Sequence, residues 1–269
     1  MNALDALHDV AVLIPAFNGQ PDLNRTLASF DESATVRVLI VDDGSTPPIV
    51  APAIDGMEIE IVRMAQNGGI ERALQTGIDE LAKRGVRYAA RIDSGDLATP
   101  GRLAKQRAFM EAHPNVAVVG MWTHVVSMQG APLFDLTPPT EPAAIRRAML
   151  ARSCFAHPSL MLRVDAVREV GNYRAQYRAA EDFDLLLRLM ERYDGANLPE
   201  FGLYYELNDG GISASKRRRQ VVSTLRLQWR YRRAANLLDW IGLAKSLAHL
   251  LLPYSALRGL KEKLLKSPT

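Results

Sequence analysis

The sequence predicts an α/β protein built on a mostly parallel central sheet, and three observations carry that prediction. Short, β-branched and almost continuously apolar runs recur at Val10–Pro15, Val36–Val41, Ile59–Val62 and Val86–Ile92, the pattern of strands buried on both faces. Helical stretches separate them: Leu23, Leu27 and Phe30 share one face after the first run, and Ile70, Ala73, Leu74, Gly77, Ile78 and Leu81 share another after the third. Polar loops at Pro15–Asn18, Asp42–Ser45 and Asp93–Asp96 each follow a strand. In a parallel sheet such loops converge beyond the carboxyl ends of the strands, where ligands bind.

The remaining elements follow in order. Pro100 opens a helix reaching His113, Val116–Gly120 and Thr123–Met128 read as further strands, and Phe134–Pro142 reads as a loop. Pro142 starts a helix through Leu150, Ser159–Arg163 is a strand behind His157, and Asp165–Val170 is a short helix. Gly171–Ala180 is a loop leading into a helix from Glu181, with Phe183, Leu186, Leu187 and Met190 as its apolar face. Leu203–Leu207 is a late strand, and the chain is helical and basic from Ser215. Along the tail, Trp240, Ile241, Leu243, Leu247, Leu250, Leu251, Tyr254 and Leu257 form one apolar face. Asp239, Lys245, His249, Pro253 and Arg258 interrupt it, so it does not supply the ~20 apolar residues of a spanning helix.

With 269 residues, 48% of them apolar and 23% charged, the chain has the composition of a soluble globular protein with a sizeable core. The single cysteine, Cys154, excludes an intramolecular disulfide framework. The N-terminal apolar run lacks a basic flank and is broken by Pro15, unlike a signal peptide. Together these point to the cytoplasm. The net charge of +3 is uneven: between Asp209 and Asp239 there is no acid, but Lys216, Arg217, Arg218, Arg219, Arg226, Arg230, Arg232 and Arg233 all fall there. That segment needs an anionic partner or solvent.

The candidate chemistry lies in the acids. Asp42 and Asp43 at a strand end suit hydrogen bonds to a nucleobase or ribose, or an Asx turn. Asp93 and Asp96 suit a hard divalent cation shared with substrate phosphates, or Asp96 caps the following helix. Glu181 and Asp182 suit a general base, or simply stabilise a helix N-terminus. His157 suits a phosphate or acceptor contact, or a structural role. Lys216–Arg219 suits a leaving diphosphate, a solvated face or anionic lipid, and Trp229 and Tyr231 among the arginines also permit nucleic acid.

In this order and spacing, VLIPAFNG, VLIVDDGST, QNGGIERALQTGI, RIDSGDLATPGRLAKQ, FAHPSLMLR, AAEDFDLLLRL and GISASKRRRQ resemble the family 2 inverting glycosyltransferases, which have the GT-A fold. The resemblance covers about Val10 to Gln220. It implies a GT-A domain over residues 1–213, a nucleotide-sugar-binding fold, followed by a basic, amphipathic helical extension over 214–269. Pro15, Ala16 and Asn18 would line the nucleotide pocket, Asp42 and Asp43 would hold base and ribose, and Gly69 would let the backbone approach the nucleotide. Asp93, beside Ser94, would fall on the first acid of the family's metal motif. Asp182 would be the base, with Glu181 orienting it or touching the acceptor, and His157 and Arg217 would lie near acceptor and diphosphate. One departure is plain: where the family commonly has Asp-Ala-Asp-Asp, this chain has Asp93-Ser94-Gly95-Asp96, so Asp96 supplies the second metal ligand or basic residues take over its work. The implied partners are a UDP- or dTDP-type sugar donor, a glycan or lipid-linked acceptor in surface polysaccharide synthesis, and an anionic inner membrane face for the tail, which otherwise packs on its own domain or on a second copy. A catalytically silent nucleotide-binding protein of the same fold, and a nucleic-acid-binding protein using residues 215–233, are the alternatives.

Overall fold

The computed structural model describes residues 7–207 and 217–251, and for Arg217 the backbone alone. Strands β1 (Val10–Ala16), β2 (Val36–Asp42), β3 (Met57–Arg63), β4 (Tyr88–Arg91), β5 (Leu97–Ala98), β6 (Val116–Ser127), β7 (Pro132–Leu136), β8 (Met161–Arg163) and β9 (Asp194–Leu207) form one sheet. Its order is β3-β2-β1-β4-β8-β6-β9-β5, with β7 paired to β6. Strands β3, β2, β1 and β4 are mutually parallel, and β6 and β9 run the same way, while β5, β7 and β8 are antiparallel to their neighbours. The helices are α1 (Gln20–Ala28), α2 (Ile70–Lys83), α3 (Arg102–Ala112), α4 (Pro142–Ala148), α5 (Val164–Glu169), α6 (Glu181–Leu189), α7 (Arg217–Tyr231) and α8 (Leu237–Leu251).

The runs of β1, β2 and β4 lack a period of two because both faces of the sheet are covered there, whereas β3, at the sheet edge, alternates in exposure. On one face Val10, Val12 and Ile14 of β1 join Leu23 and Leu27 of α1 and Leu103 and Met110 of α3. On the other, Ala11 and Leu13 join Leu74 and Ile78 of α2, Val167 of α5 and Leu186 of α6. The two layers fix the carboxyl ends of β1, β2 and β4 side by side, through registers such as Leu13↔Leu39 and Leu13↔Arg91.

Four expectations differ from the structure. Val116–Gly120 and Thr123–Met128 belong to the single strand β6, which ends at Ser127. Phe134–Leu136 is not loop but part of β7, whose residues are all exposed, so backbone pairing to β6 forms it without burial. The late strand begins at Asp194, not Leu203, and its polar first half is held by parallel pairing to β6. Ser159 sits in a short 3-10 turn, His157–Ser159, ahead of β8.

The C-terminal helices dock on the sheet domain by one side. Gln228 Nε2 donates to the Leu150 carbonyl at 2.8 Å. A Cβ on Gly242 would stand 2.0 Å from that same carbonyl oxygen, so only glycine lets α8 come this close. Between the helices, the fully buried Asp239 accepts from Arg233 N, Nε and Nη2 and from Asn236 Nδ2. Arg233 and Asn236 also donate to the carbonyls of Arg146 and Arg147 at the end of α4. Leu237, Trp240, Ile241, Leu247 and Leu251 remain exposed on α8. Lys216, Pro253, Tyr254, Leu257, Arg258, most of GISASKRRRQ and the boundary at 213/214 lie outside the described residues.

Asp239→Ala is expected to lower unfolding free energy by about 1–3 kcal/mol, because it strips a buried acceptor from several donors. Urea unfolding measures this, and limited proteolysis should cut the turn between α7 and α8 faster in the variant.

Candidate active site

The three loops after β1, β2 and β4 meet at one edge of the sheet. The Asp43 N–H donates to the Ala16 carbonyl at 2.9 Å. The Asn18 N–H donates to Ser45 Oγ at 3.0 Å, and the Thr46 N–H to Asn18 Oδ1 at 2.8 Å. Ser94 Oγ donates to the Gly19 carbonyl at 3.4 Å. Pro15, Ala16, Asn18, Asp42, Asp43, Asp93 and Ser94 therefore line one edge.

The two acids after β2 are structural supports as they stand. Asp42 is fully buried and accepts from Ser45 N at 2.8 Å, Ile49 N at 3.3 Å and Arg63 Nη1 at 2.9 Å. Burial opposes its charge, but Ser45, Ile49 and Arg63 outweigh that and hold its carboxyl below the usual range. Asp43 accepts from Gly68 N at 2.6 Å and Gly69 N at 3.0 Å, clamping the turn that opens α2. Gly69 is thus fixed at the start of α2 with its N–H facing Asp43.

The rest of the site gathers around a residue to which sequence reasoning gave no role. Arg91, the last residue of β4, is only 2% exposed, and its Nη2 donates to Asp93 Oδ1 at 2.5 Å. Its charge acts on Asp93, Asp96, Glu181, Asp182, His157 and Tyr173. Nε and Nη1 have no hydrogen-bond partner among the described residues. A charged residue closing an otherwise apolar strand, two places before Asp93, is the signal by which the sequence marks it.

Glu181 and Asp182 occupy the first turn of α6 and reach this field. Burial, then the charge of Asp182, pushes the Glu181 carboxyl up to about 8. Burial also raises Asp182, against the Phe183 N–H (2.7 Å from Oδ1) and Arg91, which favour its charge. A carboxylate raised toward neutrality is suited to accept a proton near pH 7. Burial, then Arg91, holds His157 well below the ordinary imidazole value, so it is neutral. Burial raises the Tyr173 phenol, whose hydroxyl is hydrogen-bonded to His157 Nε2 at 2.9 Å. Tyr173, in the loop before α6, is a second residue sequence reasoning missed; nothing in GNYRAQYRAA distinguishes it.

Asp96 is buried, with Oδ1 accepting from Glu206 N at 3.0 Å and Oδ2 unpartnered. Burial, then the Asp93 charge, raises its carboxyl well above the usual range. Asp93 keeps one oxygen free of any partner among the described residues. An orphaned buried oxygen beside a second carboxylate fits a divalent cation, which on binding would displace the Asp96 proton. Among the described residues no group of three or more metal-ligating side chains exists, so the donor phosphates would complete the shell. Gly95 has φ +111°, a conformation L side chains rarely adopt, and its N–H donates to Thr26 Oγ1 at 2.9 Å. An acidic side chain at position 95 would therefore be strained in this backbone. In the basic segment, Arg232 stacks on Trp229 at 3.5 Å and Arg233 is tied to Asp239. Arg217 starts α7, and its side chain lies outside the described residues.

A half-parallel sheet carrying loops, acids and a charged strand end at one edge defines a GT-A type glycosyltransferase fold. The family model described as Glycosyl transferase family 2 matches residues 11–171, and the chain belongs to that family. It is a glycosyltransferase. EpsE of Bacillus subtilis (strain 168), assigned as a glycosyltransferase, is 30% identical over 94% of this chain and 93% of its own length. The amylovoran biosynthesis glycosyltransferase AmsE of Erwinia amylovora is 27% identical over 77% of this chain and 79% of its own. The mannosyltransferase PcManGT of Pyrobaculum calidifontis, solved with GDP-Man and Mn²⁺, superposes with a TM-score of 0.60 at 16% identity, over 95% of this chain and 80% of its own.

Because the folded chain keeps the Glu181 proton that the unfolded chain has released, stability falls as pH rises from 4.5 to about 8. Glu181→Gln is expected to flatten that fall, measured by urea unfolding at a series of pH values.

Proposed function

We propose that the enzyme transfers a sugar from a nucleoside diphosphate sugar, of UDP or dTDP type, to a hydroxyl acceptor with inversion, in surface polysaccharide or related glycoconjugate synthesis. The observation that carries this reading is that Asp182, with its raised carboxyl, shares the field of Arg91 with Asp93 at the donor edge. Asp182 takes the proton of the acceptor hydroxyl. The oxygen forms a bond to the anomeric carbon from the face opposite the diphosphate, and the bond from that carbon to the diphosphate oxygen breaks, its electron pair leaving with the nucleoside diphosphate. Glu181, protonated near neutrality, adds no competing negative charge.

Pro15, Ala16, Asn18 and Gly69 shape the nucleoside end, while Asp42 and Asp43 hold the turns that form it. Ser94 and the neutral His157 face the sugar, and Arg217, whose side chain lies outside the described residues, is assigned to the diphosphate by the family resemblance alone. A divalent cation held by Asp93 and Asp96 would stabilise the departing diphosphate. The names of AmsE and PcManGT support a polysaccharide setting, a nucleotide-sugar donor and a cation.

Asp182→Asn is expected to lower transfer by about 10²–10⁴-fold while nucleotide affinity, read by calorimetry, stays the same. Near-normal turnover by this variant, with a verified donor and acceptor, would sink the assignment.

The setting we propose is the cytoplasmic face of the membrane. No helix among the described residues is long and apolar enough to cross it. Leu237, Trp240, Ile241, Leu247 and Leu251 fall on one exposed face of α8 at helical spacing, and basic α7 lies beside it, a combination suited to an anionic interface. Flotation with anionic vesicles should recover the protein, and Trp240→Glu with Leu247→Glu should abolish recovery; equal flotation of both forms contradicts the placement.

A further inference from the structure

A cavity of about 310 Å³ lies between α6, the segment after α4, and the docked helices α7 and α8. This is the lower end of the size range of small-molecule sites. Asp182 and Phe183 line it from α6, Thr224 from α7, Lys245 and Ser246 from α8, and Arg152 from the segment after α4. The cavity therefore reaches the candidate base, and the C-terminal extension supplies one of its walls.

Its charge is one-sided. Asp182 is the only acid that lines it, while Arg152 and Lys245 both line it and are both exposed. Among the described residues neither cation has an acidic partner, although other arginines, including Arg146, Arg188 and Arg233, are paired. Lys245 and Arg152 come from two elements held together: Gln228 and Gly242 seat the helices on Leu150, two residues before Arg152, and Ser223 Oγ donates to the Arg178 carbonyl at 3.1 Å. Two cations without an acidic partner among the described residues, lining one ligand-sized space with a proton acceptor, form a receptor for a molecule with a hydroxyl at one end and a negative group at the other.

We infer that this cavity is the acceptor site and that it selects an acceptor bearing an anionic group, a phosphate or a carboxylate, held by Arg152 and Lys245. The inference rests on Asp182 being the base, and adds the chemical class of the acceptor. A phosphate would come from a glycosyl phosphate, such as the headgroup of a lipid-linked sugar; a carboxylate would come from a uronic acid in a growing glycan.

Saturation-transfer NMR on the full chain, with glucose 1-phosphate, glucuronate and glucose as probes and UDP present, tests this. At least one anionic sugar should bind, and glucose should bind more weakly. Binding by the phosphate alone identifies a glycosyl phosphate, and binding by glucuronate alone a uronate. The pair Arg152→Gln and Lys245→Gln should weaken the anionic probe by about fivefold or more, with UDP affinity and melting temperature unchanged. Lys245→Gln alone, at an exposed position, should give a smaller loss in the same direction. Equal binding of glucose and the anions, no binding by either anion, or undiminished anion binding in the double variant overturns the inference. A chain that binds anionic sugars in this way yet binds no nucleoside diphosphate or its sugar conjugates would instead overturn the donor reading, so the two failures are distinct.

Discussion

A guanidinium with almost no solvent contact is stable only where carboxylates compensate its charge, and Arg91 is such a group at the end of β4. Burial opposes its charge, and Asp93, Tyr173 and Asp96 outweigh that opposition. The same charge moderates the rise of the Asp96, Glu181 and Asp182 carboxyls and helps keep His157 neutral. Elements far apart in the chain are thus tied into one electrostatic unit: the donor-edge loop after β4, the turn before β8 and the N-terminus of α6. At Asp182 the Asp93 charge raises the carboxyl while Arg91 favours its ionised form.

A second layer of support lies beneath that unit. Arg102, fully buried in the first turn of α3, donates to the Arg91 carbonyl at 2.6 Å and the Pro158 carbonyl at 3.1 Å. Gln106, one turn on, donates to the carbonyls of Val119 at 3.0 Å and Ser159 at 2.8 Å. Burial brings Arg102 down to about 10, still protonated at neutral pH. These bonds position the strand end that carries Arg91 and the turn that carries His157, so the polar residues of RLAKQ have a positioning role at the site.

The C-terminal helices serve two purposes through two faces. The inner face, with Gly242 against Leu150, closes a cavity over Asp182. The outer face leaves Trp240, Ile241, Leu247 and Leu251 exposed. Asp239 ties α8 to the turn that follows α7.

The sequence by itself determined the α/β class, the four strand runs of a mostly parallel sheet and the convergence of the three loops, because buried runs, helical spacing and strand-end polar residues are local signals, while the order β3-β2-β1-β4 came from the structure. It also marked Glu181, Asp182, Asp93 and the anomaly at Gly95. It did not reveal β7 or the first half of β9, since both form by pairing to β6 and neither carries a burial pattern of its own. It left Asp42 and Asp43 open between a nucleotide contact and an Asx turn, and in the fold their oxygens accept from Ser45, Ile49, Arg63, Gly68 and Gly69. Only the tertiary structure decided that Arg91 is the hub, that Tyr173 meets His157, and that Arg152 and Lys245 face one cavity with Asp182. The physical reason is that charge compensation and cavity walls depend on distances across the fold, between residues that no local spacing brings together.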